Sequence, residues 1–172
     1  QQDDGQDTVF AYITPNYLKM LGVAPVLGRA FTRAEERGEG APVAMISYAR
    51  WKHEFGARMS TIGAVVDVNI PRRDGADRRR YTIVGVTPPT MGAPISTASF
   101  NHNLHEPNPG VWLPRDWSAW DQDDDPHAFA RLRPGVTVQQ ATNELRSIID
   151  GSPTTDGKRR SIGTYLRSPG PV

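Results

Sequence analysis

The sequence predicts a mixed α+β domain, and three observations carry that prediction. Short β-prone runs alternate with short helical segments, two neighbouring strands flank an Asp-Gly turn signal, and no internal repeat is present. This mixed order of elements favours α+β over a doubly wound parallel sheet. At 172 residues the chain suits one domain, or two small subdomains sharing a core.

Taken from the N-terminus, residues 9–13 are β-prone, and Thr14-Pro15 offers an N-cap with proline at the first helical position. A short helix over 16–21 follows, ended by Gly22, and residues 25–29 turn the chain into a polar loop. One helical turn at 34–37 precedes the Gly38-Glu39-Gly40 break. The compact apolar run 43–46 suits a buried strand. Ser47 then caps a helix over 48–55 that Gly56 stops.

Residues 64–70 alternate, with Val66, Val68 and Ile70 on one face and Val65, Asp67 and Asn69 on the other. With 81–86 they predict an antiparallel hairpin, joined by a long arginine-rich loop over 71–80 that contains Asp74-Gly75. From 88 to 126 apolar and aromatic residues scatter among Pro, Gly, Asn and Ser, and only 111–113 is strand-like. A strand over 128–132, a Pro134-Gly135 turn and the capping box Thr137-x-x-Gln140 follow. The helix opened there carries Val138, Ala141, Leu145, Ile148 and Ile149 on one stripe and closes at Gly151. A final strand is expected over 162–166.

Composition excludes several chemistries. Twenty Lys and Arg against nineteen Asp and Glu leave a net charge of +1, so no global field draws the chain to nucleic acid. The absence of cysteine excludes disulfides, thiolate zinc sites and a Cys nucleophile. No apolar run reaches the ~20 residues of a membrane helix, and residues 1–7 are too polar for a signal peptide, so the chain by itself is expected to be soluble. Neither G-x-S-x-G nor G-x-x-x-x-G-K-[ST] is present. The chain therefore reads as a non-enzyme that needs no cofactor.

Four local clusters carry residue types that could bind a ligand or metal, and each also has a plainer explanation. His102, His105 and Glu106, with His127, bring metal-ligating groups together, but the surrounding Asn and Pro argue against the regular helix such a pair requires. Asp121, Asp123 and Asp125 imitate the start of a calcium loop, yet Pro126 stands where glycine is needed and Leu132 where the bidentate Glu belongs. Arg72, Arg73, Arg78, Arg79 and Arg80 form one dense basic cluster, a candidate lipid or anion contact that an exposed hairpin tip explains equally well. Phe100, Trp112, Trp117 and Trp120 concentrate aromatic area in the irregular segment, either as a partner or ligand surface or as a small aromatic core.

Five ordered segments carry a resemblance: TPNYLKMLGV (14–23), LGRAFTRAE (27–35), ISYARWKHEFG (46–56), IGAVVDVN with YTIVGVTP (62–69 and 81–88), and ARLRPGVTVQQATNEL (130–145), with VWLP (111–114) fitting as well. In order and spacing they resemble the periplasmic core domain of MacB/FtsX-type ABC-transporter permeases. The resemblance implies a porter-like subdomain with ferredoxin-like βαβ character, formed by 1–90 (including the hairpin 64–86) and 127–172. A smaller Sabre-like subdomain over 91–126 would interrupt it.

The resemblance further implies placement outside the inner membrane of a bacterium, as part of an integral membrane protein. It implies coupling of cytoplasmic ATP hydrolysis to extracytoplasmic movement, with the chain's own transmembrane helices and an ATPase domain or subunit as partners. A periplasmic adaptor or a substrate would dock on it, and dimerisation is expected only in the full-length transporter. The contrasting expectation is a free-standing extracytoplasmic module binding a glycan or peptide through the aromatic segment.

Overall fold

The computed structural model describes residues 10–72, 75–91, 109–115 and 130–150. Two compact units divide the chain, residues 1–127 and 128–172.

The first unit is built on a six-stranded mixed sheet. Its strands are β1 (Phe10–Ile13), β2 (Leu27–Gly28), β3 (Val43–Ile46), β4 (Val65–Arg72), β5 (Gly75–Val86) and β6 (Val111–Pro114). The order is β1-β6-β3-β5-β2, with β4 also paired to β5. The pairs β1/β6 and β3/β5 are parallel, whereas β6/β3, β5/β2 and β5/β4 are antiparallel. Because β3 pairs with β5 from Thr82 to Val86, β2 at Gly85–Val86 and β4 up to Thr82 must share the opposite edge of β5.

Alternation within the strands divides the core into two faces. Ala44, Ile46, Val66, Val68, Ile70, Ile83, Val111 and Leu113 make one buried cluster, against which Trp51 and Phe55 pack from helix α3 (Tyr48–Phe55). Val43, Met45 and Trp112 point the other way and join Tyr17 and Leu18 of helix α1 (Tyr17–Leu21), with Phe31 and Met91. The sheet thus has a short helix on each side. The fully apolar run of β3 is buried at all four positions because it faces packing on both sides.

Local signals explain the helices. Ser47 accepts a hydrogen bond from the Arg50 N–H at 3.1 Å, and Gly56 ends α3 in the left-handed region at φ 59°, as the sequence predicts. Gly22 closes α1 in the same way at φ 76°, while the Val23 and Gly22 N–H groups donate to the Leu18 and Lys19 carbonyls. Thr14 is not the cap expected: the helix starts at Tyr17, and Thr14 instead donates to Asn16 Oδ1 at 2.6 Å, one turn earlier. Proline at position 15 leaves room for that turn before regular helix begins.

Two expectations are corrected in this unit and one is met. Residues 27–28, read as loop, form β2, held by backbone pairing that leaves no periodic signature in two residues. Residues 75–80, also read as loop, continue β5, so the hairpin is paired through Arg72↔Gly75 with a two-residue connection. Residues 111–113, read as strand-like, do form a strand, β6, which runs to Pro114 and lies between β1 and β3 in the sheet. Strand pairing is a backbone property that charged or proline-flanked side chains do not forbid.

The second unit contains helix α4 (Val138–Asp150). Its capping box is formed as expected: the Gln140 N–H donates to Thr137 Oγ1 at 3.2 Å, and the Thr137 N–H donates to Gln140 Oε1 at 2.8 Å. Residues 130–132 carry no strand, against expectation, and 128–129 and the strand expected over 162–166 lie outside the described residues.

Candidate interaction surface

The β4–β5 hairpin places the arginine cluster on a ribbon whose register sorts its side chains. Asp67 faces Arg80 and Asn69 faces Arg78 on one side; Val68 faces Arg79 and Ile70 faces Asp77 on the other. Val68 and Ile70 are buried, so Arg79 shares its side with the apolar core, and Arg78 and Arg80 lie on the solvent side. Arg79 donates to Asp77 at 2.6 Å, and that hydrogen bond raises its pKa. Arg78 donates diagonally to Asp67 at 2.9 Å. Arg80, directly opposite Asp67, is exposed, and among the described residues it forms no ion pair; Asp67 is engaged by Arg78. Arg72 enters β4 at the end of this ribbon, and Arg73 lies outside the described residues.

The aromatic candidates separate. Trp112 is only 1% exposed and packs 6.3 Å from Tyr17 between ring centroids, so it is a core residue rather than part of a surface. Its position in an interior strand, facing α1, explains the burial. Phe100, Trp117 and Trp120 lie outside the described residues, as do His102, His105, Glu106, His127, Asp121, Asp123 and Asp125. Among the described residues no group of three or more His, Asp or Glu could hold a metal ion.

Sequence reasoning missed a polar node in segment 27–35. Glu35 accepts from both terminal nitrogens of Arg29, at 3.0 and 2.6 Å, and from the Thr32 N–H at 2.8 Å. Thr32 in return accepts from the Glu35 N–H, completing a capping box on helix α2 (Arg33–Glu36). The hydrogen bonds from Arg29 hold the Glu35 carboxyl below the usual carboxylate range. Thr32-x-x-Glu35 was the available signal.

Next to that node the chains of β2 and β5 touch at paired glycines, Gly28 and Gly85. A Cβ at Gly28 would stand 2.2 Å from the Val84 carbonyl oxygen, and one at Gly85 would stand 2.3 Å from that of Arg29. Gly28 also adopts φ 72°, which side chains disfavour. Segment 27–35 is therefore a strap: glycine lets it approach β5, Phe31 enters the core, and the Arg29–Glu35 pair fixes the turn that follows.

A depression of about 230 Å³ lined by Thr14, Pro15, Asn16, Arg33 and Glu36 lies beside α1. No described helix is long and apolar enough to cross a membrane.

A mixed sheet flanked by short helices, with a charged ribbon at one end, defines an α+β domain of the porter-like class. The MacB-like periplasmic core domain family matches residues 1–148, and the chain belongs to that family. It is a periplasmic domain family of inner-membrane ABC-transporter permeases, which pair with an ATPase and are typically non-catalytic in this domain. No curated protein matches the chain.

Proposed function

We propose that this domain couples ATP hydrolysis on the cytoplasmic side of the membrane to movement on the other side, and that it docks an adaptor or substrate there. The family match over 1–148 carries the reading. It is supported by a sheet in which one long strand, β5, is paired along both edges, a construction suited to moving as one body. The chain acts within a permease whose transmembrane helices bring two copies together. Residues 91–126 supply the inserted subdomain, and Phe100, Trp117 and Trp120 within it are the candidate partner residues. The arginine ribbon contacts anionic groups.

The test uses the full-length permease with its ATPase in a reconstituted membrane. Replacing residues 10–150 by a flexible Gly/Ser linker is expected to leave ATP hydrolysis measurable and abolish transport. Transport at the unmodified rate would sink the proposal. Hydropathy of the full-length protein adds a second check: apolar segments of ~20 residues must lie outside residues 1–172.

A further inference from the structure

The register of the sheet gathers three side chains from distant parts of the sequence at one end and on one face. Tyr12 of β1 pairs with Leu113 of β6, so it shares the face on which Phe10, Val111 and Leu113 join the first apolar cluster. Arg79 of β5 pairs with buried Val68 and points to that same face. Arg115 follows the end of β6, two residues past Leu113, and its guanidinium stands over the Tyr12 ring, 5.4 Å from the centroid. Because β6 runs parallel to β1 and antiparallel to β3, its C-terminal end lies level with the start of β3 at Val43, which pairs with Thr82, three residues from Arg79.

The members of this patch are braced by neighbours and still meet solvent. Tyr12 is 42% exposed, and Phe10 meets its ring edge-on at 5.6 Å. Arg79 keeps 50% of its side chain exposed while donating to Asp77 at 2.6 Å. A flat sheet would set β1 and β5 about 14 Å apart, three strand spacings. Twist closes part of that distance: the Arg79 pKa, raised first by the hydrogen bond to Asp77, is raised also by Tyr81 and Tyr12, so the Tyr12 phenol lies within its electrostatic reach.

Tyr and Arg are residue types that anchor protein interfaces, and a guanidinium stacked on a ring presents its N–H edge sideways, toward an oxyanion. Guanidinium groups held on separate strands suit carboxylates spaced along an extended chain, which stand about 7 Å apart at every second residue, better than one phosphate that both must grip. Two cations beside the one carboxylate of Asp77 leave a net charge of only +1, too little to hold the patch on an anionic membrane at about 1 kcal/mol per cation. We propose that Tyr12, Arg79 and Arg115 form a docking surface for an extended, carboxylate-rich segment of a partner protein, with each arginine taking a carboxylate and Tyr12 packing against the bound chain. This gives a chemistry to the docking partner of the proposed function, and it rests on that reading for a partner to exist.

Titrating a blocked hexapeptide of alternating Glu and Val into the isotope-labelled 172-residue chain tests the surface by NMR. A peptide of alternating Lys and Val is the control, and circular dichroism confirms that each variant folds. Saturable shifts centred on Tyr12, Arg79 and Arg115 are expected with the Glu peptide alone. R115Q should weaken binding about tenfold, the scale of a charge-assisted hydrogen bond, and Y12A about two- to fivefold, the scale of an exposed cation–π contact. K19Q, which removes one exposed cation from the helix packed on the opposite face, should leave binding unchanged. Equal losses in K19Q and R115Q, shifts centred elsewhere, or no shifts at all would each overturn the proposal. So would binding to phosphatidylglycerol vesicles that R115Q abolishes while the Glu peptide moves nothing. Peptide binding here alongside undiminished transport by the linker-substituted permease keeps this site and removes the transport role; the reverse keeps that role and removes the site.

Discussion

At Gly85 a single missing methyl decides whether two strands can meet. Gly85→Ala would force a carbon to 2.3 Å from the Arg29 carbonyl oxygen and 3.0 Å from Met45 Cε, so the strap or β5 must shift. A loss of about 1–3 kcal/mol is expected, measured by urea denaturation. Glu35→Gln removes one partner of the Arg29 pair and half of the α2 cap, for about 1 kcal/mol after allowing for the half-exposed guanidinium. The pH dependence has a definite sign. Glu35 is depressed in the folded state, so its contribution is present above the unfolded carboxylate range and lost as pH falls through the lower folded value. Wild type and E35Q should therefore differ near neutral pH and converge in strong acid. Tyr17 behaves oppositely: burial pushes its phenol up to about 12, so the stability it contributes is complete below about pH 10 and lost as pH rises through 12. Tyr17→Phe should flatten the alkaline limb of a stability profile.

Among elements, the hairpin register makes the sharpest prediction. Val68→Lys places a charge at a fully buried position and should cost more than 3 kcal/mol, whereas Asn69→Lys, one residue on, should change stability by less than about 0.5 kcal/mol. Thermal or urea unfolding of the pair tests the pairing through residues 75–80. The buried alternation of Val66, Val68 and Ile70 was legible in the sequence, as were the Ser47 cap, the Gly22 and Gly56 stops and the Thr137 capping box. These are local signals within one or two turns. The run Asp77 to Arg80 was not legible as strand, because its pairing is set by β4 and its composition reads as solvent-facing loop. Nor was β2, where two residues joined at paired glycines carry no period; 111–113 was legible as strand-like, but its place between β1 and β3 was not, because those strands lie far away in the sequence. The candidate site divides on the same line. Residue type left Trp112 open between an interaction surface and a small aromatic core, and the position of β6 between β1 and β3 buries it as core. The Arg29–Glu35 node needed the fold of segment 27–35 to bring its partners six residues apart together.

For the whole molecule, the family fixes a place among inner-membrane permeases, and the sheet offers a physical basis for the transmission proposed. The long strand β5 has a consequence for how that sheet bears load. Pulled along its length, β5 strains its bonds to β3 together in shear, with β2 and β4 sharing the load from the other edge. Pulled sideways at the Arg72–Gly75 end, the β4–β5 ribbon instead peels apart one pair at a time. The same strand is stiff to tension along the sheet and compliant at its free tip. If the domain transmits movement as proposed, a strand with those two stiffnesses would pass an axial stroke almost undiminished while its tip yielded to sideways load.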